Sequence, residues 1–241
     1  MSAGEVGSHE HDCSWHGADF DLLKVHVPKR QNQKTMNNKL KMNSEITAAV
    51  VTVGGGRGFV VAGEFETKLI ITAVHCLPDL PPAHRGRYLE EETYQALIGP
   101  LGEEPTVWVS CLFADHVADL AILGSPDDQE LGEQSDAYNA FVEPIQPMTI
   151  ANTVKGRAFE KQGRSWLLSL DLKWYPAPYS VFGEGSLCLG LDTKTKGGMS
   201  GSPIVNDDGA AIGVVTFSGS SNPRLVRDLP GWLLKVAGFR K

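Results

Sequence analysis

The run ITAAVVTVGGGRGFVVAGEFETKLIITAVHCL (residues 46–77) decides the fold. It divides into three short apolar stretches, ITAAVVTV (46–53), FVVA (59–62) and KLIITAV (68–74), parted by GGGRG and GEFET. β-branched residues crowd each stretch and glycines punctuate them, which predicts three strands joined by tight turns. Further along, TVWVSCLF (106–113), LAIL (120–123), SWLLSLDL (165–172), GSLCLGL (185–191), SPIV (202–205) and AIGVVTFS (211–218) repeat the pattern. Strands do not alternate with long helical segments, so a parallel βαβ sheet is excluded. The expectation is an all-β unit.

The flanks read differently. The first 23 residues carry Glu5, Glu10, Asp12, Asp19 and Asp21 and no Lys or Arg, the reverse of a secretory leader. Lys24, Lys29, Arg30, Lys34, Lys39 and Lys41 then follow without an acid. Residues 1–44 are therefore expected to form an arm and linker, with FDLLKVHV (20–27) as one strand in it, and 45–241 the main unit. The stretch 126–136 has five acids and no base and is expected to connect a first half (about 45–125) to a second (about 137–222). Leu225, Leu229, Trp232, Leu233 and Val236 recur at helical spacing, which predicts a C-terminal helix over about 224–238.

Composition narrows the function classes. The 241 residues carry 22 basic and 29 acidic side chains, a net charge of −7 that disfavours a general nucleic-acid binder. No apolar run approaches the ~18 residues needed to span a bilayer. Cys13, Cys76, Cys111 and Cys188 lie far apart, without the close pairs of zinc or redox sites. His9, His11, Cys13 and His16 are read as a solvated tail and not as a metal site. Reduced cysteines, a cytoplasmic location and no metal or organic cofactor are expected.

Three segments carry chemistry. LIITAVHCL (69–77) ends a strand at His75, DHVADLAIL (115–123) opens a strand at Asp119, and KGGMSGSPIV (196–205) sets Ser200 in a glycine-rich turn before a strand. A serine hydroxyl is a weak nucleophile and needs a base within reach. Imidazole takes and returns a proton near neutrality, and a carboxylate fixes its tautomer and steadies the imidazolium. Gly197 and Gly198 allow a sharp turn that would aim the N–H groups of Gly198 and Ser200 at one point, an oxyanion hole to which Met199 contributes backbone only. Any one segment alone is more often structural; their conjunction, on a β-rich background, points to acyl transfer.

TAVHC, DLAIL and GMSGSP resemble the three signature segments of the chymotrypsin/trypsin-like serine peptidases, over roughly Glu45 to Arg240. GGGRGFVV is similar to the opening of bacterial HtrA-type and glutamyl-endopeptidase-type members. The resemblance implies two antiparallel six-stranded β-barrels with a cleft between them, and a serine endopeptidase with His75, Asp119 and Ser200 as its triad. It further implies that Lys194, Thr216, Phe217 and Ser218 bind an extended polypeptide substrate.

The chain also departs from the pattern. Met199 stands where trypsin has an aspartate paired with a cleaved N-terminus, which implies a hole formed without zymogen cleavage. Residues 54–62 hold no cysteine to pair with Cys76, which is then a free buried thiol. Lys194 takes the place of an acid, arguing against basic side chains in the specificity pocket. An α/β-hydrolase is disfavoured because GMSGS lacks the last glycine of its motif and PIV continues as strand. Two other readings stay open: a catalytically silent binding module on the same scaffold, and a protease dedicated to a partner docked on the N-terminal arm in a regulatory or defence system.

Overall fold

The computed structural model describes residues 44–63, 66–79, 92–151, 162–181, 186–189, 195–216 and 224–228. Strands β1 (Val50–Val53), β2 (Gly56–Ala62), β3 (Lys68–Thr72), β4 (Glu92–Pro100), β5 (Val107–Asp115) and β6 (Leu120–Gly124) close into a barrel in the order β1-β2-β3-β6-β5-β4. All its pairings are antiparallel. The second sheet contains β7 (Gln162–Gly163), β8 (Trp166–Leu168), β9 (Trp174–Pro176), β10 (Tyr179–Val181), β11 (Ser186–Leu189), β12 (Pro203–Val205), β13 (Ala211–Val214) and β14 (Arg224–Asp228). Their order is β7-β10-β11-β14-β13-β12-β8-β9.

Strands β2, β3 and β6 carry near-continuous apolar runs because both of their faces are buried. Phe59, Val61, Leu69, Ile71, Leu120 and Ile122 belong to one core, which they share with Leu168, Trp174, Val205 and Val214 of the second sheet. The alternate residues Val60, Ile70, Ala121 and Leu123 fill a second core. A period of two thus sorts each strand between a core shared by the two sheets and a core proper to the barrel. The segment after the barrel stitches them further: Met148 N–H donates to Val60, and Ala151 N–H to Ala211.

Four expectations are corrected. Among the described residues the second half is an eight-stranded sheet of short strands, and closure into a six-stranded barrel is not seen there. SWLLSLDL is not one strand: β8 stops at Leu168, Leu172 takes a φ of 60°, and the chain returns as β9 until Pro176. The acidic connector gives way to a helix, α1 (Gly132–Val142), whose C-terminal carbonyls are capped by the Lys68 ammonium. Residues 224–228 are strand where a helix is expected, because β14 lies between β11 and β13 and pairs with both, which occupies its main-chain groups. Trp232, Leu233 and Val236 lie outside the described residues. Among those described, no helix is long and apolar enough to cross a membrane.

Candidate active site

Strand β3 delivers the chain to a single 3-10 turn, Val74–Cys76, with His75 at its centre. Asp119 engages this turn three ways. Its carbonyl accepts the Val74 N–H at 3.3 Å. Its Oδ1 accepts the His75 main-chain N–H at 3.1 Å, and its Oδ2 stands 2.7 Å from His75 Nδ1. With a carboxylate at Nδ1, the neutral ring keeps its proton there and leaves Nε2 free to accept one. The hydrogen bond to Asp119 lifts the His75 pKa above 6.5; partial burial opposes the shift and the carboxylate charge adds to it.

Holding that carboxylate in place demands an unusual backbone. Asp119 has a φ of 55°, a left-handed conformation that aspartate tolerates better than most residues. The turn before it is shaped by Asp115, whose Oδ1 accepts the N–H groups of Val117 and Ala118 at 3.0 and 2.9 Å. The sequence reading missed this role. Its signal is an Asp two and three residues before the N–H groups it holds.

Ser200 is 9% exposed, at the junction of the two sheets. Its carbonyl accepts the Arg57 N–H at 2.7 Å, and the next residue, Gly201, donates to the Val215 carbonyl at 2.7 Å. A Cβ on Gly56 would stand 2.5 Å from Cys76 Sγ and 2.7 Å from the Ser200 carbonyl oxygen. Only the bare backbone of Gly56 thus separates the residue after His75 from Ser200. The structure brings His75 and Asp119 into contact and sets the Ser200 main chain against Gly56 and Arg57, close to Cys76. Among the described residues, the Ser200 hydroxyl makes no hydrogen bond to the His75 ring.

The turn before Ser200 is closed by the Met199 N–H, which donates to Lys196 at 3.2 Å, and Gly198 within it has a φ of 84°. Among the described residues, the N–H groups of Gly198 and Ser200 donate to no main-chain acceptor. The Met199 side chain is 1% exposed, and its sulfur accepts the Lys196 N–H at 3.3 Å. Thr216 is buried, whereas Lys194, Phe217 and Ser218 lie outside the described residues.

Arg57 is the other residue that sequence reasoning passed over. It is 6% exposed, and its guanidinium donates to the Leu168 carbonyl at 3.0 Å and to Ser169 at 3.2 Å. Its own carbonyl accepts the Thr72 hydroxyl at 2.7 Å. The arginine in a glycine run was the available signal. Cys76 is a free, buried thiol, as expected, and burial pushes its pKa up, which keeps it protonated and inert.

Comparison with known proteins agrees with this fold. The model of the trypsin-like peptidase domain family matches residues 56–214. Among solved structures, Deg5 is 15% identical, with a TM-score of 0.50 over 83% of this chain and 92% of its own. The Rv3671c protease in its inactive form is 14% identical, with a TM-score of 0.49 over 88% of this chain and 97% of its own. No curated protein matches the sequence.

Proposed function

The chain belongs to the trypsin-like peptidase domain family, and from that premise we propose that it is a serine endopeptidase working through an acyl-enzyme. Ser200 Oγ attacks the scissile carbonyl while His75 Nε2 takes its proton. The new C–O bond turns the carbonyl oxygen into an oxyanion, which the N–H groups of Gly198 and Ser200 receive. The imidazolium then returns the proton to the leaving amine as the C–N bond breaks. Water, deprotonated by the same imidazole, then attacks the ester carbonyl, and the imidazolium returns that proton to Ser200 Oγ as the Oγ–C bond breaks and the acid product leaves. Asp119 stays ionised throughout and holds the ring. Thr216, with Lys194, Phe217 and Ser218, flanks an extended polypeptide, and the buried free thiols Cys76 and Cys111 fit a reducing, cytoplasmic setting.

One observation carries this reading. A single carboxylate grips both the main-chain N–H and the ring Nδ1 of His75, from a backbone held at positive φ. A structural carboxylate needs no such aim, and backbone strain of this kind gathers at sites of chemistry.

The test is covalent labelling of the intact chain with a fluorophosphonate, paired with cleavage of an unfolded protein substrate. Both are expected in the native chain, and both are lost in Ser200→Ala and in His75→Ala. A native chain that neither labels nor cleaves is a binding module on a peptidase scaffold, and the proposal fails.

A further inference from the structure

Met199 is 1% exposed and sits in the core of the second sheet with Leu167, Ile204, Ile212 and Val215. From there it holds Lys196 by both main-chain groups. Its N–H donates to the Lys196 carbonyl, and its sulfur accepts the Lys196 N–H at 3.3 Å. The turn between them has Gly197 and Gly198 at its centre, and of these two only Gly198 has positive φ, at 84°. That combination is a type II turn. A type I turn joins the same ends with its central peptide turned over, so the Gly198 N–H points the opposite way. Two glycines give the turn little preference of its own, and the main-chain bond that closes it is compatible with either form. The thioether bond is the additional restraint. Two hydroxyls nearby in sequence do not take its place: among the described residues Thr195 Oγ1 and Ser202 Oγ are both buried and find no hydrogen-bond partner.

We propose that Met199 is a positioning residue, whose buried thioether holds the Lys196 N–H and thereby fixes the turn that aims the Gly198 N–H at the reacting carbonyl. The inference rests on the peptidase reading and adds to it a part played by a side chain that touches no substrate. Methionine suits the place, because its long apolar stem anchors in the core while its polarizable sulfur reaches the backbone.

The test replaces the sulfur at nearly constant volume with Met199→Leu. The kcat for a peptide amide is expected to fall about tenfold with KM within about twofold, since the lost interaction acts on the transition state alone. Affinity for a peptide boronic acid, which occupies the hole as a tetrahedral adduct, falls in parallel. Affinity for the uncleaved peptide, measured in a Ser200→Ala background, does not move. Met199→Gln restores an acceptor and recovers part of the loss. Norleucine in place of methionine exchanges sulfur for methylene and gives the same loss, which keeps the test decisive where the leucine variant does not fold. Unchanged kcat and boronate affinity in folded Met199→Leu overturn the inference, as does an equal loss of boronate and peptide binding. A native chain without labelling or cleavage fails at the earlier step, and that failure is separately visible.

Discussion

The main-chain N–H of Arg57 donates to the carbonyl of Ser200 at 2.7 Å, while the Arg57 guanidinium reaches the carbonyls of Leu168 and Ser169. One residue of the barrel therefore holds the proposed nucleophile's turn and the neighbouring hairpin of the second sheet. The hairpin in turn lies against the proposed oxyanion hole, since Leu170 Cδ2 stands 3.6 Å from the point a Gly198 Cβ would occupy. Burial lowers the Arg57 pKa, but guanidinium basicity is so high that the group stays charged. Arg57→Met keeps the apolar stem and strands the two carbonyls. Unfolding by urea is expected to show a loss of about 1–3 kcal/mol, with kcat/KM falling because the hairpin is freed. Arg57→Lys recovers stability only in part, because an ammonium cannot reproduce the fork. A folded Arg57→Met with native stability and native kcat/KM contradicts this account.

In the proposed mechanism the Asp119–His75 pair sets the pH dependence. The hydrogen bond to Asp119 holds the His75 pKa above 6.5, and the proposed general-base step requires the neutral ring. Activity is thus expected to rise with pH along a limb whose midpoint lies above 6.5. Stability runs the other way: the pair's contribution is fully present below 6.5 and is lost as pH climbs through the raised pKa. Asp119→Asn moves the midpoint of the limb down toward the ordinary histidine value and lowers kcat by roughly 10⁴-fold, as loss of the orienting carboxylate does in such triads. A pH–rate profile of kcat/KM for both proteins measures each shift. Coincident limbs would mean that Asp119 does not govern the proton on His75.

Some of this was legible in the sequence, and the boundary has physical causes. FVVA, KLIIT and LAIL read as strands because both their faces are buried, leaving the middle of each run wholly apolar. Strand β4 escaped notice because its pattern is interrupted: Ala96 has a φ of 46°, and the register with β5 jumps between Tyr94 and Ile98. His75 and Asp119, which the structure brings into contact, could be paired from sequence because the proposed chemistry fixes their residue types. Arg57 and the Met199 sulfur could not, since each bonds to main-chain groups that any sequence possesses. Which carbonyl or N–H a side chain meets is decided by tertiary packing. The start of the expected C-terminal helix differs for the same reason: the pairing of Arg224–Asp228 with strands on both sides outweighs a local spacing there, and the rest of that stretch lies outside the described residues.

Cys76 follows His75 directly, and its thiol faces inward. Burial raises its pKa, so little thiolate exists at neutral pH. Incubation of the native chain with iodoacetamide is expected to leave peptidase activity intact, while the unfolded chain alkylates at this position. Mass spectrometry of the two samples makes the comparison. Rapid alkylation of Cys76 in the native state, with loss of activity, would recast it as a rival nucleophile.

Two glycines close to the site test how tightly the two sheets are joined. Gly201 follows Ser200 at a φ of 77°, and a Cβ there would sit 1.7 Å from the Arg57 carbonyl oxygen and 2.6 Å from the Thr72 hydroxyl. Backbone cannot yield to that extent without parting β2 from the turn that holds Ser200. Gly55, in the β1–β2 turn, has nothing within 4 Å of its Cβ position and no positive φ. Gly55→Ala is therefore expected to change stability by no more than about 1 kcal/mol, and in the favourable direction if the alanine narrows the unfolded ensemble. Gly201→Ala combines left-handed strain of about 1–2 kcal/mol with overpacking of about 1–3 kcal/mol or more. It is expected to lower the denaturation midpoint well below that of Gly55→Ala, and to abolish fluorophosphonate labelling even where the chain stays folded. Equal midpoints for the two variants would mean that the nucleophile's turn does not press on the barrel, and the close seam between the sheets would have to be redrawn.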